Sequence, residues 1–382
     1  MTKAPGWKEV PGPLKQREYG IDLLKICAMF AIVLEHIIHW GGWGLFAPPG
    51  GRSVQWMGKS VLFEVVEASL ICHVNCFVLA TGWIMSRKDF KLSRLLRLWL
   101  EVFGYSVAAL LVAILFLPQI SLDAKSMMKC LFPLSKNSYW FFTQYCGLFF
   151  LMPLLNAAVE TLEERTLRTV LLFFGGLACI PPFFVGDLFH VKDGYSVIWF
   201  SYLYLLAATM ARRRMFSKIS IRTALCVLFT SVFATVCGRH VVHAICFHAG
   251  IASRWRVFNA YSSPIILVQS VAALVVFKNI QVHSALLRRT IAFVAPSVFA
   301  VYLIHSNWLF RTATHWNAFW TSALDGPGAM KSLAIVLCGA TIVFVVCLMV
   351  DFARRGAKTA IARSLDLARS KRNKMGSPCD VH

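Results

Sequence analysis

Ten stretches of about twenty apolar residues recur along the chain, and no other feature limits its fold as strongly. An α-helix needs a segment of about this length to cross the roughly 30 Å hydrocarbon core of a bilayer. Apolar residues fill 58% of the 382 positions and charged residues only 15%. That leaves too little polar surface for a soluble protein. The sequence therefore predicts an all-α, polytopic transmembrane bundle of about ten helices.

The predicted spans separate a short leading segment and a basic tail from one membrane domain. We expect a cytoplasmic N-terminal segment over residues 1–20, a transmembrane domain over 21–352 and a basic cytoplasmic tail over 353–382. Pro181-Pro182 predicts a kink or break in the fifth span, because proline cannot continue a helix. The ten predicted spans are residues 21–40, 61–85, 98–117, 139–159, 168–188, 196–211, 221–247, 262–278, 290–310 and 331–352.

Basic residues are distributed unevenly between the loops. With the N-terminus inside, 28 of the 39 Lys and Arg residues lie in or beside the cytoplasmic segments. Such an excess marks the cytoplasmic side of a membrane protein, so an even number of spans places both termini there. The net charge of +21 therefore indicates contact with membrane lipid, and we expect no nucleic acid as a partner.

Ionisable side chains inside predicted spans are costly and are candidates for function. The first span carries Lys25 near its start and His36 eleven residues later. Eleven residues correspond to about 16 Å of helix rise, roughly half of the hydrocarbon thickness. We therefore expect His36 past the midplane and interpret it as a catalytic base, the alternative being a histidine that packs within the bundle.

Two glutamates enter from the outside on the second span, at a depth close to that of His36. Glu64 and Glu67 lie one turn apart and share a face of the helix. One of them could orient His36 and support its imidazolium, as in other oriented general bases; the alternative is that both face an aqueous vestibule. Glu35 is expected to be a poorer partner, because adjacent helical residues point about 100° apart.

A dense basic loop lies between the second and third spans on the predicted inner side. Its last two arginines, Arg94 and Arg97, are one turn apart and share a helical face. Two guanidinium groups so placed suit a phosphate-bearing ligand. Simple anchoring of the topology explains the charges equally well at this stage.

Several stretches, taken together and in order, resemble the acyltransferase-3 family of integral-membrane O-acyltransferases, in particular its exopolysaccharide and capsule branch. The resemblance runs from the first predicted span to the ninth. The stretches are REYGIDLLK at 17–25 with His36 after ten further residues, VNCFVLATGW at 74–83, RLLR at 94–97, YWFFTQY at 139–145, PLLN at 153–156, GYSVIWFSYLY at 194–204, YSSP at 261–264 and VYLIH at 301–305.

The resemblance implies a ten-helix bundle, a cytoplasmic acyl-CoA donor and a sugar hydroxyl as acceptor. Lys25 and His36 fall on the family motif of a basic residue, ten residues and a histidine. The usual basic residue is arginine, and lysine lacks its bidentate fork. Arg94 and Arg97 fall on the paired-arginine motif, while Thr81 replaces the usual serine of the second block.

The resemblance and the buried charges combine into one hypothesis. Arg94, Arg97 and Lys25 hold the phosphates of coenzyme A at the inner mouth, and the thioester reaches His36 inside the bundle. His36 then deprotonates the acceptor hydroxyl as it attacks the thioester carbonyl; an acyl-histidine intermediate is an open alternative. Glu64 and Glu67 are the expected supporting carboxylates. The family-like blocks further suggest four substrate-binding residues, Tyr139, Trp140, Trp199 and His305, although interior packing explains His305 equally well.

Histidines and a cysteine cluster near the outer end of the seventh span. His240 and His243 share a face, and Cys246 and His248 follow closely. A metal site of these residues is conceivable, but polar residues beside the acceptor path explain them better. We therefore expect no metal here, and none at Cys72, His73 and Cys76, which fall in or beside a family-like block.

The expected activity is transfer of an acyl group, with acetyl as the first choice, from acetyl-CoA to a cell-surface polysaccharide or its lipid-linked precursor. The expected location is a bacterial plasma membrane, and the sequence leaves open whether the chain forms a homodimer. A transporter or flippase of a lipid-linked sugar is the main alternative, but it would typically show paired broken helices. A membrane sensor with an inactive acyltransferase bundle is a second alternative.

Overall fold

The computed structural model describes residues 17–40, 54–120, 122–251 and 255–375. Most of the predicted N-terminal segment, and the last seven residues of the tail, lie outside these ranges. Within them the chain is helical, and no β-strand occurs.

Fifteen α-helices occur in the described part of the chain. They are α1 (Tyr19–Trp40), α2 (Val54–Leu70), α3 (His73–Met85), α4 (Leu92–Phe116), α5 (Ala124–Leu131), α6 (Trp140–Thr161), α7 (Glu164–Cys179), α8 (Val197–Arg212), α9 (Ile221–His248), α10 (Pro264–Asn279), α11 (Ala285–Val294), α12 (Val298–His305), α13 (Trp308–Ala313), α14 (Trp316–Asp325) and α15 (Ala329–Met375).

The predicted polytopic helix bundle is confirmed. Eight helical segments of the described chain are long and apolar enough to cross a membrane, and each overlaps one predicted span. The remaining two predicted spans correspond to α1, which carries several ionisable side chains, and to α8, which is only sixteen residues long. The side of the membrane on which each terminus lies stays a prediction.

Three predicted spans are interrupted or end earlier in the structure, and the tenth continues as one helix to Met375. The second is broken at residues 71–72, where α2 ends and α3 begins. The fifth ends at Cys179, and a 3-10 turn over Pro181–Phe183 follows, as the proline pair predicts. The ninth stops at His305 rather than residue 310, because the side chain of Asn307 accepts a hydrogen bond from the Leu309 backbone N–H and starts α13.

Helix α1 lies at the centre of the bundle, where it packs against α3, α10, α12 and α15. Its apolar side chains are almost fully buried along most of its length. Close packing of α3 on α8 depends on Gly82, since a Cβ atom there would lie 2.7 Å from the Tyr204 carbonyl oxygen. Gly82 therefore allows α3, which carries the stretch at 74–83, to pack closely on α8, which carries most of the stretch at 194–204.

Candidate active site

A cavity of about 270 Å³ lies inside the bundle, beside α1 and the start of α3. Apolar side chains such as Ile32 and Phe299 form part of its wall. The groups able to hydrogen bond to a ligand form the rest. These polar and aromatic lining residues are Glu35, His36, His39, His73, Trp140, Tyr195, Tyr261 and Tyr302.

His36 lines this cavity and contacts a second histidine from α12. Its Nδ1 atom lies 3.0 Å from Nε2 of His305. The side chain of His36 is 19% exposed, whereas His305 is fully buried. His36 is therefore the histidine that a substrate can reach, and His305 lies behind it.

The contacts of His305 fix the protonation of both rings. Its Nδ1 lies 2.6 Å from the backbone oxygen of Val301, which can only accept, so this nitrogen carries the proton. Nε2 of a neutral His305 is then an acceptor, which the Ser306 hydroxyl at 3.3 Å also suits. It follows that His36 Nδ1 donates to His305 and that His36 Nε2 keeps its lone pair.

Glu35 lies closer to His36 than its position on the helix suggests. Its Oε2 atom is 3.7 Å from Nε2 of His36, beyond hydrogen-bond range. The flexible glutamate side chain turns back toward its neighbour, which the 100° spacing of adjacent residues did not predict. Glu35 therefore adds a polar carboxyl group beside the Nε2 edge of the His36 ring.

The two glutamates of the second span have basic partners on α9. Glu67 accepts a hydrogen bond from the fully buried Arg239 at 3.2 Å, and Glu64 lies 2.9 Å from Nε2 of His240. Both carboxyl groups are buried, so the expectation that they face an aqueous vestibule is wrong. The described neighbours of the His36 ring are His305 at 3.0 Å and Glu35 at 3.7 Å, and support from Glu64 and Glu67 stays a prediction.

The four expected substrate-binding residues occupy different environments. Trp140 lines the cavity, while the hydroxyl of Tyr139 is buried and donates to the Leu303 carbonyl oxygen at 3.1 Å. The indole N–H of Trp199 is also buried and donates to Asn75 at 3.0 Å. Tyr139, Trp199 and His305 therefore lie behind the residues that line the cavity, and Trp140 is the one of the four that lines it.

Asn75 connects the buried Trp199 to the cavity wall. Its side-chain oxygen accepts the Trp199 indole, and its side-chain nitrogen donates to the Tyr261 carbonyl oxygen at 2.8 Å. The ring of Tyr261 lies nearly parallel to that of Trp140, 15° apart with centroids at 6.4 Å, and Tyr195 packs 5.0 Å from it. These three rings form an aromatic wall facing the histidines.

Lys25 lies in an ion cluster at the predicted inner end of α1. Its ammonium donates to Asp22 at 2.9 Å, and Arg17 donates to the other oxygen of the same carboxylate at 2.6 Å. One negative charge is thus shared by two cations, which leaves net positive charge at this end of the helix.

The paired arginines begin α4 near the same end. Arg94 donates to the Asp89 carbonyl oxygen and is half-buried, while Arg97 is exposed. Burial, followed by the charges of Arg94 and Lys25, lowers the pKa of Lys88 in the preceding loop. The cations of this loop and of α1 therefore lie close enough to repel one another, and an anionic ligand would relieve that repulsion.

A second cavity of about 560 Å³ opens at this inner end. Arg17 lines it together with Lys278 at the end of α10 and Arg288 in α11. The Lys278 ammonium lies 5.5 Å from the Trp83 ring, and the Arg288 guanidinium lies 5.8 Å from the Tyr19 ring. We refer to this space as the inner cavity, and it combines positive charge with aromatic surface.

No group of three or more His, Cys, Asp or Glu side chains is placed to hold a metal ion in the part of the chain that the structure describes. Of the outer histidine cluster, His240 pairs with Glu64, as noted above. His248 is exposed at the end of α9. Within this cluster, His240 therefore binds a buried carboxyl group and His248 lies at the protein surface.

Sequence reasoning did not assign roles to several residues at these two cavities. His73, Tyr195 and Tyr261 stand in or beside family-like stretches, so the stretches themselves were a signal. Lys278 and Arg288 were counted only as topological charges, because a basic loop residue that lines a cavity looks the same in sequence as one that does not.

A comparison with family models matches residues 18–351 to one model, which describes an acyltransferase domain. No curated protein and no solved structure matches the chain. The matched range includes every residue that lines either cavity except Arg17.

Proposed function

Since the chain belongs to the acyltransferase-3 family of membrane acyltransferases, we propose that it transfers an acetyl group from cytoplasmic acetyl-CoA to a sugar hydroxyl. The acceptor we propose is a cell-surface polysaccharide, of the exopolysaccharide or capsule type, or its lipid-linked precursor at a bacterial plasma membrane. The observation that carries the proposal is a histidine whose unprotonated nitrogen faces an interior cavity, behind an inner end rich in cations.

His36 acts as the general base. Its Nε2 lone pair is directed away from His305 by the chain of hydrogen bonds that begins at the Val301 carbonyl oxygen. An acceptor hydroxyl in the cavity can give its proton to this nitrogen. The resulting imidazolium still donates through Nδ1 to His305, and Glu35 lies 3.7 Å from the newly protonated Nε2.

The transfer step balances without a further reactant. The hydroxyl oxygen forms a bond to the thioester carbonyl carbon as His36 takes the proton, and the C=O electron pair moves onto oxygen. When this tetrahedral species collapses, the C–S bond breaks and an ester remains. The coenzyme A thiolate then takes the proton from His36 Nε2, which restores the starting base.

The phosphates and the thioester of acetyl-CoA fit opposite ends of α1. Arg94, Arg97 and Lys25 provide positive charge for the phosphates, and the inner cavity adds Lys278 and Arg288. Lys25 and His36 are separated by about 16 Å of helix rise, so the uncharged pantetheine arm has to extend into the bundle. Charge is thereby held at the membrane surface while the thioester enters the apolar interior.

The aromatic wall supports a carbohydrate acceptor. Trp140, Tyr195 and Tyr261 present ring faces and phenol groups to the cavity. Sites of this composition bind ligands by apolar contact and fix their orientation with a few polar groups. A sugar can pack its C–H faces against these rings and form hydrogen bonds with their polar groups through its hydroxyls.

The proposal is tested by two linked measurements. The purified chain in lipid nanodiscs is incubated with acetyl-CoA labelled in the acetyl group, and release of coenzyme A is followed with a thiol reagent. In parallel, surface glycans of cells with and without the protein are analysed for base-labile acetyl esters. We expect coenzyme A release and a lost ester; an unchanged glycan together with no release would refute the proposal, as would transport of a glycan without acylation.

A further inference from the structure

His73 differs from every other residue of the cavity wall. It is only 3% exposed, yet it lines the same cavity as His36. Neither ring nitrogen has a hydrogen-bond partner. Among the described residues that line the cavity, it alone has buried polar atoms left unpaired.

An unpaired buried imidazole is costly. A neutral imidazole always has one N–H donor and one acceptor nitrogen, and each of them destabilises the folded protein when it is buried without a partner. A leucine or phenylalanine would avoid this cost in a wall that includes Val74 and Phe77. The cost is recovered when a ligand in the cavity supplies the missing partner.

The position of His73 allows it to meet such a ligand. It is the first residue of α3, directly after the break at residues 71–72. Its ring packs edge-on against Tyr261, with centroids 5.8 Å apart. Because no hydrogen bond holds either nitrogen, the ring can turn to present its N–H to the cavity without breaking one.

We propose that His73 is a further catalytic residue that donates its N–H to the carbonyl oxygen of the thioester and to the oxyanion formed from it. This inference rests on the proposed function. His36 accepts the proton of the hydroxyl on one side of the carbonyl carbon, and His73 receives the negative charge that develops on its oxygen.

The assignment gives each imidazole a different task in the same step. The oxyanion exists only after the hydroxyl oxygen has bonded to the carbonyl carbon, and its charge returns to the C=O bond when the C–S bond breaks. A donor placed there stabilises the transition state more than the bound donor substrate. Removing it should therefore lower kcat and leave KM for acetyl-CoA nearly unchanged.

The test compares His73→Phe, which keeps ring volume but has no donor, with His73→Gln, which keeps an N–H. Both full-length variants are assayed in nanodiscs for coenzyme A release from acetyl-CoA. We expect His73→Phe to lower kcat by about 10²- to 10³-fold, the usual loss for one oxyanion donor, with KM changed less than about threefold. His73→Gln should recover at least about tenfold over His73→Phe.

The matched control is His190→Gln, which removes an exposed imidazole from a loop outside the cavity lining and should retain wild-type kinetics. Melting temperature and gel-filtration profile establish that each variant is folded. A folded His73→Phe with kcat near wild type, or with its loss confined to KM, would overturn the inference, and so would a folded His73→Gln no better than His73→Phe.

The two proposals fail differently. If wild type releases no coenzyme A and cells without the protein keep their surface acetyl esters, the proposed function fails and His73 loses its role with it. If wild type is active and His36→Ala is inactive while folded His73→Phe stays active, only the assignment of His73 fails.

Discussion

Replacing His305 changes the protonation of His36 without touching the cavity. The wild-type ring accepts a hydrogen bond from His36 Nδ1 at 3.0 Å and is itself fully buried. His305→Leu removes the acceptor. His305→Gln can still present an amide oxygen to His36. His305→Lys offers only donors, so His36 Nδ1 would have to accept and its proton would move to Nε2, the nitrogen that must act as base.

The size of each effect follows from the bond that is altered. Loss of one buried hydrogen bond costs about 1–3 kcal/mol, which corresponds to about 5- to 150-fold in kcat for His305→Leu. His305→Gln should lose less than about tenfold on the same scale, because its acceptor remains. His305→Lys forces the wrong tautomer and should lose most of the general-base contribution, about 10²- to 10⁴-fold.

The assay is coenzyme A release from acetyl-CoA by nanodisc-embedded variants, with melting temperature as the control for folding. We expect kcat to decrease in the order wild type, His305→Gln, His305→Leu and His305→Lys, with KM for acetyl-CoA little changed. Folded Lys and Leu variants within threefold of wild type would refute the tautomer argument, and a Lys variant faster than the Gln variant would refute it even more directly.

Three further predictions concern the surroundings of the site. Asn75→Leu leaves a buried indole N–H and a buried carbonyl oxygen unpaired, so we expect the free energy of unfolding to fall by about 2–6 kcal/mol; an unchanged thermal melt would contradict this. Gly194→Ala places a Cβ atom 2.4 Å from the Cβ atom of Tyr261 and should lower kcat at least about tenfold, because it displaces the aromatic wall. Gly186→Ala, also at positive φ but in open space, should retain activity. Arg94→Ala and Arg97→Ala should each raise KM for acetyl-CoA about 10- to 150-fold, since a hydrogen bond to a charged group contributes about 1.5–3 kcal/mol; unchanged KM in both would remove them from the donor site.

The membrane spans could be predicted from the sequence because twenty apolar residues leave few alternatives. The break before His73 could not be predicted, since residues 71–72 are as apolar as the helices on either side. Proline supplied a visible signal at residues 181–182, and the fifth span ends there. The helix end at the proline pair could therefore be predicted, because proline cannot continue a helix. The break at residues 71–72 could not, because no residue there requires it.

The site was predictable in part. His36 stood out because a histidine inside a span needs a reason. Its contact with His305 spans 269 residues of sequence, and no local pattern contains that information. The basic partners of Glu64 and Glu67 on α9 were not predictable for the same reason. The position of a side chain along a span can be read from the sequence, but the helix that it faces cannot.

The most direct test of the account is acetyl transfer by His36→Ala in nanodiscs, with folding checked by melting temperature and gel filtration. The unprotonated Nε2 of this residue is the proposed proton acceptor, so the variant should bind acetyl-CoA with near wild-type affinity and show no ester formation above background. Ester formation by the folded variant within tenfold of the wild-type rate would contradict the assignment of His36 as the base.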